Sequence, residues 1–246
     1  MSTAVASAHT GRIVNGGNMK SEQGLGRLVG LSMLLTMATS VVGYFVLLPP
    51  VFEAPGFLAA AAGMAARVRT GALVVLLAPL LSLAIALACW PRFRRAGERT
   101  ALALLAMAVV ALAVAVVEQG LLLAMLSLSQ AAAAATPAAG APFQAAYAAA
   151  GGARYAVHYL ALFFSGATSL TLYVLLYRSG MPARLLPAIG VAAVVLQLAN
   201  IALHLLGHPF QLALVAPAAI CHLATGTWLL VRGFRRGAGP MAAHAY

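Results

Sequence analysis

Glu118 stands in the middle of a long apolar run, between Val116-Val117 and Gln119-Gly120. A carboxyl carried into a membrane helix costs roughly 2.5–3.5 kcal/mol on insertion scales, so it is expected to face protein or trapped water, protonated or paired. His158, Gln197, Asn200, His204 and His222 lie in other apolar runs. A titrating carboxylate in a wet cavity is the chemistry of proton- or ion-coupled transport of a small solute. Two cofactor readings compete with it. His204 and His208 are four apart, a spacing that puts two metal ligands on one helical face, with Glu118 or His222 as a third. Gly207 and Pro209 mark a turn at that point, and no Cys pair or His-Glu-x-x-His motif accompanies them, so no metal is expected. His158, His204 and His222 could be axial haem ligands, but only His222 lies deep, and no cofactor is expected. The blandest reading is interhelical hydrogen bonding that holds helices together without turnover. Ser165 and His158 are seven apart, about 10 Å along a helix and too far to act as nucleophile and base. No Gly-x-Ser-x-Gly elbow, phosphate loop or dinucleotide fingerprint occurs, so the balance leans away from an enzyme.

Facing and depth group these residues. Gly190, Ala193, Gln197, Asn200 and His204 recur at steps of three and four, which is one stripe of a helix. Ala161, Ser165 and Thr168 form a shorter stripe below His158, and Ala108, Ala111, Ala115 and Glu118 form another. Small residues let helices approach closely and polar ones bond across the gap. At 1.5 Å per residue Glu118 is about 15 Å below Leu128, and His222 about 18 Å beyond Phe210. Gln197 and Asn200 come at about 9–14 Å, with His158 and His204 shallower. The third to sixth spans are therefore expected to gather their stripes around a polar pocket in the outer half of a bundle.

The elements that must position these residues follow from composition. Of 246 residues, 63% are apolar and 8% charged, and mean hydropathy is +0.96. Fifteen bases and four acids cannot give a soluble globule its polar skin, so the chain reads as an all-α, polytopic transmembrane bundle. Six runs reach the length of about 20 residues that a bilayer demands: 28–48, 72–90, 101–128, 155–177, 185–206 and 210–231. Pro49-Pro50 and Pro91 stop the first two, and Pro217 is placed to kink the last. Gly207-His208-Pro209 makes a tight hairpin between the fifth and sixth. The connector 51–70 has room for a short interfacial helix, and 129–154 reads as Ala/Gly/Pro spacer, part of it another surface helix. Residues 1–26 read as a disordered cytoplasmic tail, 27–236 as the membrane domain and 237–246 as a short cytoplasmic tail. Gly26-x-x-x-Gly30 is a close-packing pattern that also arises by chance. Cys89 and Cys221 share no motif spacing and read as small apolar fillers.

Six spans put twelve bases on one side: Arg12, Lys20, Arg27, Arg92, Arg94, Arg95, Arg99, Arg178, Arg184, Arg232, Arg235 and Arg236. Arg67, Arg69 and Arg154 fall on the other. Bases near span ends stay cytoplasmic, so both termini are expected inside. The pI near 10.9 then has a topological cause. The expected partner is a lipid bilayer, with anionic headgroups at the cytoplasmic face, and not nucleic acid; protein partners are not readable. Fourteen of the fifteen bases are Arg and Ala is abundant, as GC-rich bacterial coding gives. A bacterial inner membrane is the expected location.

Several segments together are similar to one bacterial membrane family, domain-of-unknown-function family 4386. They are Gly26-Arg27-Leu28-Val29-Gly30, Arg67-Val68-Arg69-Thr70-Gly71, Glu118, His158 with Phe163-Phe164-Ser165-Gly166, and Leu176-Tyr177-Arg178-Ser179-Gly180-Met181-Pro182. The resemblance runs from about Gly26 to Arg236 and implies a six-helix inner-membrane protein, with no activity attached. Family members often carry a base one turn before the glutamate, where this chain has Ala115, and an acid early in the second span, where it has none. A charge network built on those groups would be broken or rewired here.

Overall fold

The computed structural model describes residues 3–135, 140–179 and 183–234, with side chains from Glu22 onward. Gly180, Met181 and Pro182 of the last family-like segment, together with Arg235, Arg236 and the tail 237–246, lie outside the described residues. Helix α1 spans Thr3–Val41 and runs into a π-helical turn, Val42–Leu47; it takes in residues expected as an N-terminal tail. Two short helices follow, α2 (Pro49–Phe52) and α3 (Phe57–Ala60), where an interfacial helix was expected. Then come α4 (Ala65–Ala88), α5 (Trp90–Ala134), α6 (Gly140–Arg178), α7 (Leu185–Leu205) and α8 (Ala216–Arg232). Six segments among the described residues are long and apolar enough to cross a membrane, one for each expected span. Helices satisfy their own backbone groups, as a segment in hydrocarbon must.

The six long helices pack in chain order, each on the next, and α8 closes on α1 to complete a ring. Gly26 and Gly30 sit where α1 meets α8. A Cβ on Gly26 would overlap the backbone nitrogen of Phe234, and one on Gly30 that of Leu230, so only glycine admits this approach. Two apolar cores lie inside the ring. One holds Val29, Met33, Phe93, Leu104, Leu172 and Leu176; the other holds Leu48, Val51, Phe57, Val68, Leu122 and Met125. At the first core's end, Arg92 pairs with Glu22 at 3.4 Å and lies 4.2 Å over the Phe234 ring, and Arg178 donates to Thr100. Arg67 and Arg154 belong to the opposite end.

Three local features differ from expectation. The segment 129–154 is mostly helix: α5 continues to Ala134 and α6 begins at Gly140, so Arg154 is a helical residue and not a loop base. Pro217 does not kink the last span. A 3-10 turn, Leu212–Leu214, precedes α8, and Pro217 falls in its first turn, where a missing N–H goes unnoticed. Inside α5, Gly97 is extended (φ 165°, ψ 99°), which turns the corner between the Trp90 segment and the membrane span.

Candidate functional site

Between the two cores is a cavity of about 250 Å³ to which every long helix contributes. Tyr44, Ser82, Glu118, Ser165, Gln197 and His222 represent the six spans in its wall. Parts of the stripes read from sequence line it: Ala111, Ala115 and Glu118 on α5, Ala161 and Ser165 on α6, and Gln197 on α7. Ala108, Ala111, Ala115 and Glu118 are all buried on α5, as are Gly190, Ala193 and Asn200 on α7, whereas Leu196 next to Gln197 is 40% exposed. The pocket expected of spans three to six is wider: α1 supplies Thr36 and Ser40, the π-helical turn after it Tyr44, and α4 Pro79 and Ser82.

Glu118 is fully buried, and three groups reach its carboxylate. The Tyr44 hydroxyl donates to Oε2 at 3.1 Å and Oε1 at 3.2 Å. His158 Nδ1 is 2.9 Å from Oε1, and Arg154 Nη2 is 3.5 Å from it. Donors on both oxygens suit the ionised carboxylate, and Arg154 balances its charge. The His158 contact is symmetric in chemistry: a proton can sit on Nδ1 and point to the carboxylate, or on the carboxyl and point to Nδ1. Helix geometry places the partners. The wider π-helical turn carries Tyr44 off the α-helical register, and such turns recur at functional sites. Arg67 of α4 holds that turn by donating to the carbonyls of Leu47 (2.9 Å) and Val46 (2.8 Å). Pro79, inside α4 and in the cavity wall, has no N–H for the Val75 carbonyl one turn back.

Tyr44 and Arg154 were not among the residues singled out from sequence. Tyr44 has the position of an interfacial aromatic, and Arg154 closes a stretch that reads as spacer. The base beside Glu118 in this chain is a guanidinium from the neighbouring helix, Arg154, while Ala115 stands one turn before the carboxylate. Glu118 is also shallower than its distance from Leu128 implies. It is level with Tyr44, only about 6 Å before Leu48, because α5 runs on past the end of the first span.

The other singled-out residues separate into two groups. Gln197 and His222 share the cavity wall with Glu118. Asn200 and His204 instead build the α7–α8 hairpin. Asn200 donates to the Gln211 carbonyl (3.0 Å) and accepts its N–H (3.2 Å). His204 uses both ring nitrogens, with Tyr155 Oη at 2.9 Å and the His208 carbonyl at 2.8 Å. Gly207 turns the chain with φ 96°, so His208 is not helical and the four-residue ligand pair does not form. Among the described residues no three His, Cys, Asp or Glu side chains converge as a metal site.

A ring of six apolar helices around a shared cavity defines the class: a multi-pass membrane protein. Over residues 28–233 the chain matches the family described as a domain of unknown function (DUF4386), and it belongs to that family. No curated protein and no solved structure gave a match.

Proposed function

We propose that the protein is a proton-coupled carrier of a small polar solute in the bacterial inner membrane, with both termini cytoplasmic. The supporting observation is a fully buried carboxylate, hydrogen-bonded to an imidazole, in the wall of a cavity that all six spans line. A rigid structural role would need Glu118 bonded but would not need empty space beside it. Orientation rests on the bases: among described side chains Arg27, Arg92, Arg94, Arg95, Arg99, Arg178, Arg184 and Arg232 belong to one end of the ring and Arg67, Arg69 and Arg154 to the other. The test is uptake of a panel of labelled sugars, polyols, amino acids and organic acids by vesicles containing the protein, under an imposed pH gradient. At least one solute is expected to enter tenfold faster than into empty vesicles, and Glu118→Gln to abolish that excess. Uptake that survives Glu118→Gln unchanged rejects the coupling.

A further inference from the structure

The cavity has a second titratable group at its other end. Thr36, level with His222, precedes Tyr44 by eight residues, which sets His222 about 12 Å inward of Glu118. The Thr36 hydroxyl donates to the Met33 carbonyl at 2.7 Å. Its contact with His222 Nε2, a long 3.5 Å, is therefore one in which the hydroxyl oxygen accepts. That assigns the hydrogen to Nε2; the Met33 backbone is the ring's other hydrogen-bonding neighbour, and no described side chain bonds to Nδ1, which keeps a lone pair. The other titratable side chains near His222 are Tyr173 of α6, with ring centroids 6.4 Å apart, and its own neighbour Cys221; no described acid or base pairs with it.

Hydroxyls mark the distance between the two groups. Ser40 of α1 and Ser165 and Ser169 of α6 are in the cavity wall, and none makes a side-chain hydrogen bond to described protein atoms. Hydroxyls interrupt a largely apolar wall, and a space of about 250 Å³ has room for several waters, each needing roughly 10–15 Å³. On the far side of His222 the space shrinks to a pocket of about 20 Å³, room for a single water by the same measure. Met33, Ile85, Leu104 and Leu172, all buried, share its wall with four hydroxyl side chains and His222. Those apolar residues belong to the core that continues toward the base-rich end.

We propose that His222 is a second proton-binding site, joined to Glu118 through the Tyr44 hydroxyl and waters along this hydroxyl-lined path, and that the Met33–Ile85–Leu104–Leu172 layer is the barrier beyond it. The inference rests on the proton-coupling reading of Glu118 and adds where the proton goes. A proton held at Glu118 passes to the Tyr44 oxygen as the Tyr44 hydrogen moves on through the waters to the His222 lone pair, leaving a carboxylate, a re-formed hydroxyl and an imidazolium; no other bond changes. The barrier holds it there until the helices part.

Liposomes enclosing a pH-sensitive dye, under an imposed potential, test this without the solute. Leu104→Ser/Leu172→Ser is expected to conduct protons at least tenfold faster than the unsubstituted protein. Adding His222→Ala should return conduction to background, and so should adding Glu118→Gln. A leak that persists without His222 overturns the inference, as does a folded barrier variant with no leak. A leak that needs His222 but not Glu118 rejects the carboxylate's part in coupling while keeping His222 as a proton site. Cysteine labelling tests the path even if the barrier variant does not fold. In a Cys89→Ser/Cys221→Ser background, Ser165→Cys and Ser169→Cys should react with a small methanethiosulfonate and Leu172→Cys should not. Unreactive Ser169→Cys would mean a dry path and would end the proposal.

Discussion

Glu118 is held by bonds whose strength comes from charge. Tyr44 gives its one hydroxyl hydrogen to a carboxylate that has no water shell, and hydrogen bonds to charged groups contribute about 1.5–3 kcal/mol. Tyr44→Phe is therefore expected to lower unfolding free energy in detergent by about 1.5–3 kcal/mol, and by less than about 1 kcal/mol when Glu118 is already Gln. Equal losses in both backgrounds would show that the two side chains do not act on one another. Glu118 stood out in the sequence because a carboxyl in an apolar run must find a partner. Its partners could not. Tyr44 is 74 residues away and Arg154 lies on a different helix, so their contact is a product of packing. Asn200 and His204 show the converse. Their polar character was legible, but their local use in a hairpin was decided by a turn at Gly207 that bends the chain back onto them.

Helix faces carry two further tests. The α1–α8 crossing leaves no room at Gly30, while a Cβ on Gly24 would meet nothing within 4 Å. Gly30→Ala should cost the protein its monodisperse peak in detergent. Gly24→Ala should keep it and add about 0.5–1 kcal/mol of helix stability. Comparable behaviour of the two would argue against this crossing. On α7, Leu196 faces outward and Gln197 the cavity. A cation on the lipid face costs about 2.5–3.5 kcal/mol by insertion scales, so Leu196→Lys should impair membrane insertion in a glycosylation-reporter assay. Gln197→Lys, beside polar groups and Glu118, should insert normally and stop uptake. Equal insertion defects would mean that the stripe does not face protein. The 3.6-residue period revealed these faces, since a helix presents the same side every third or fourth residue. Thr36, Ser40 and Tyr44 recur every four residues and were a signal for the first span that went unread, whereas on α4 Ser82 stands alone and gave none.

For the whole molecule, helix directions alternate around the ring, so the Arg94 corner and the α5–α6 connection belong to opposite ends. Reporters inserted beside Arg94 and after Ala135 should respond from opposite compartments, with the Arg94 site cytoplasmic. A shared compartment would remove one span and with it the six-membered ring. Span number and the segregation of bases were legible because solvent chemistry writes them along the chain: a bilayer demands about 20 apolar residues per crossing, and Arg collects at one end of each. Ring closure, the Tyr44–Glu118–His158–Arg154 constellation and the path to His222 were not. Each joins residues remote in sequence, and which helix lies beside which depends on side-chain shapes meeting in three dimensions, such as the glycines that let α1 touch α8. Composition and periodicity act one helix at a time; only packed helices enclose a space.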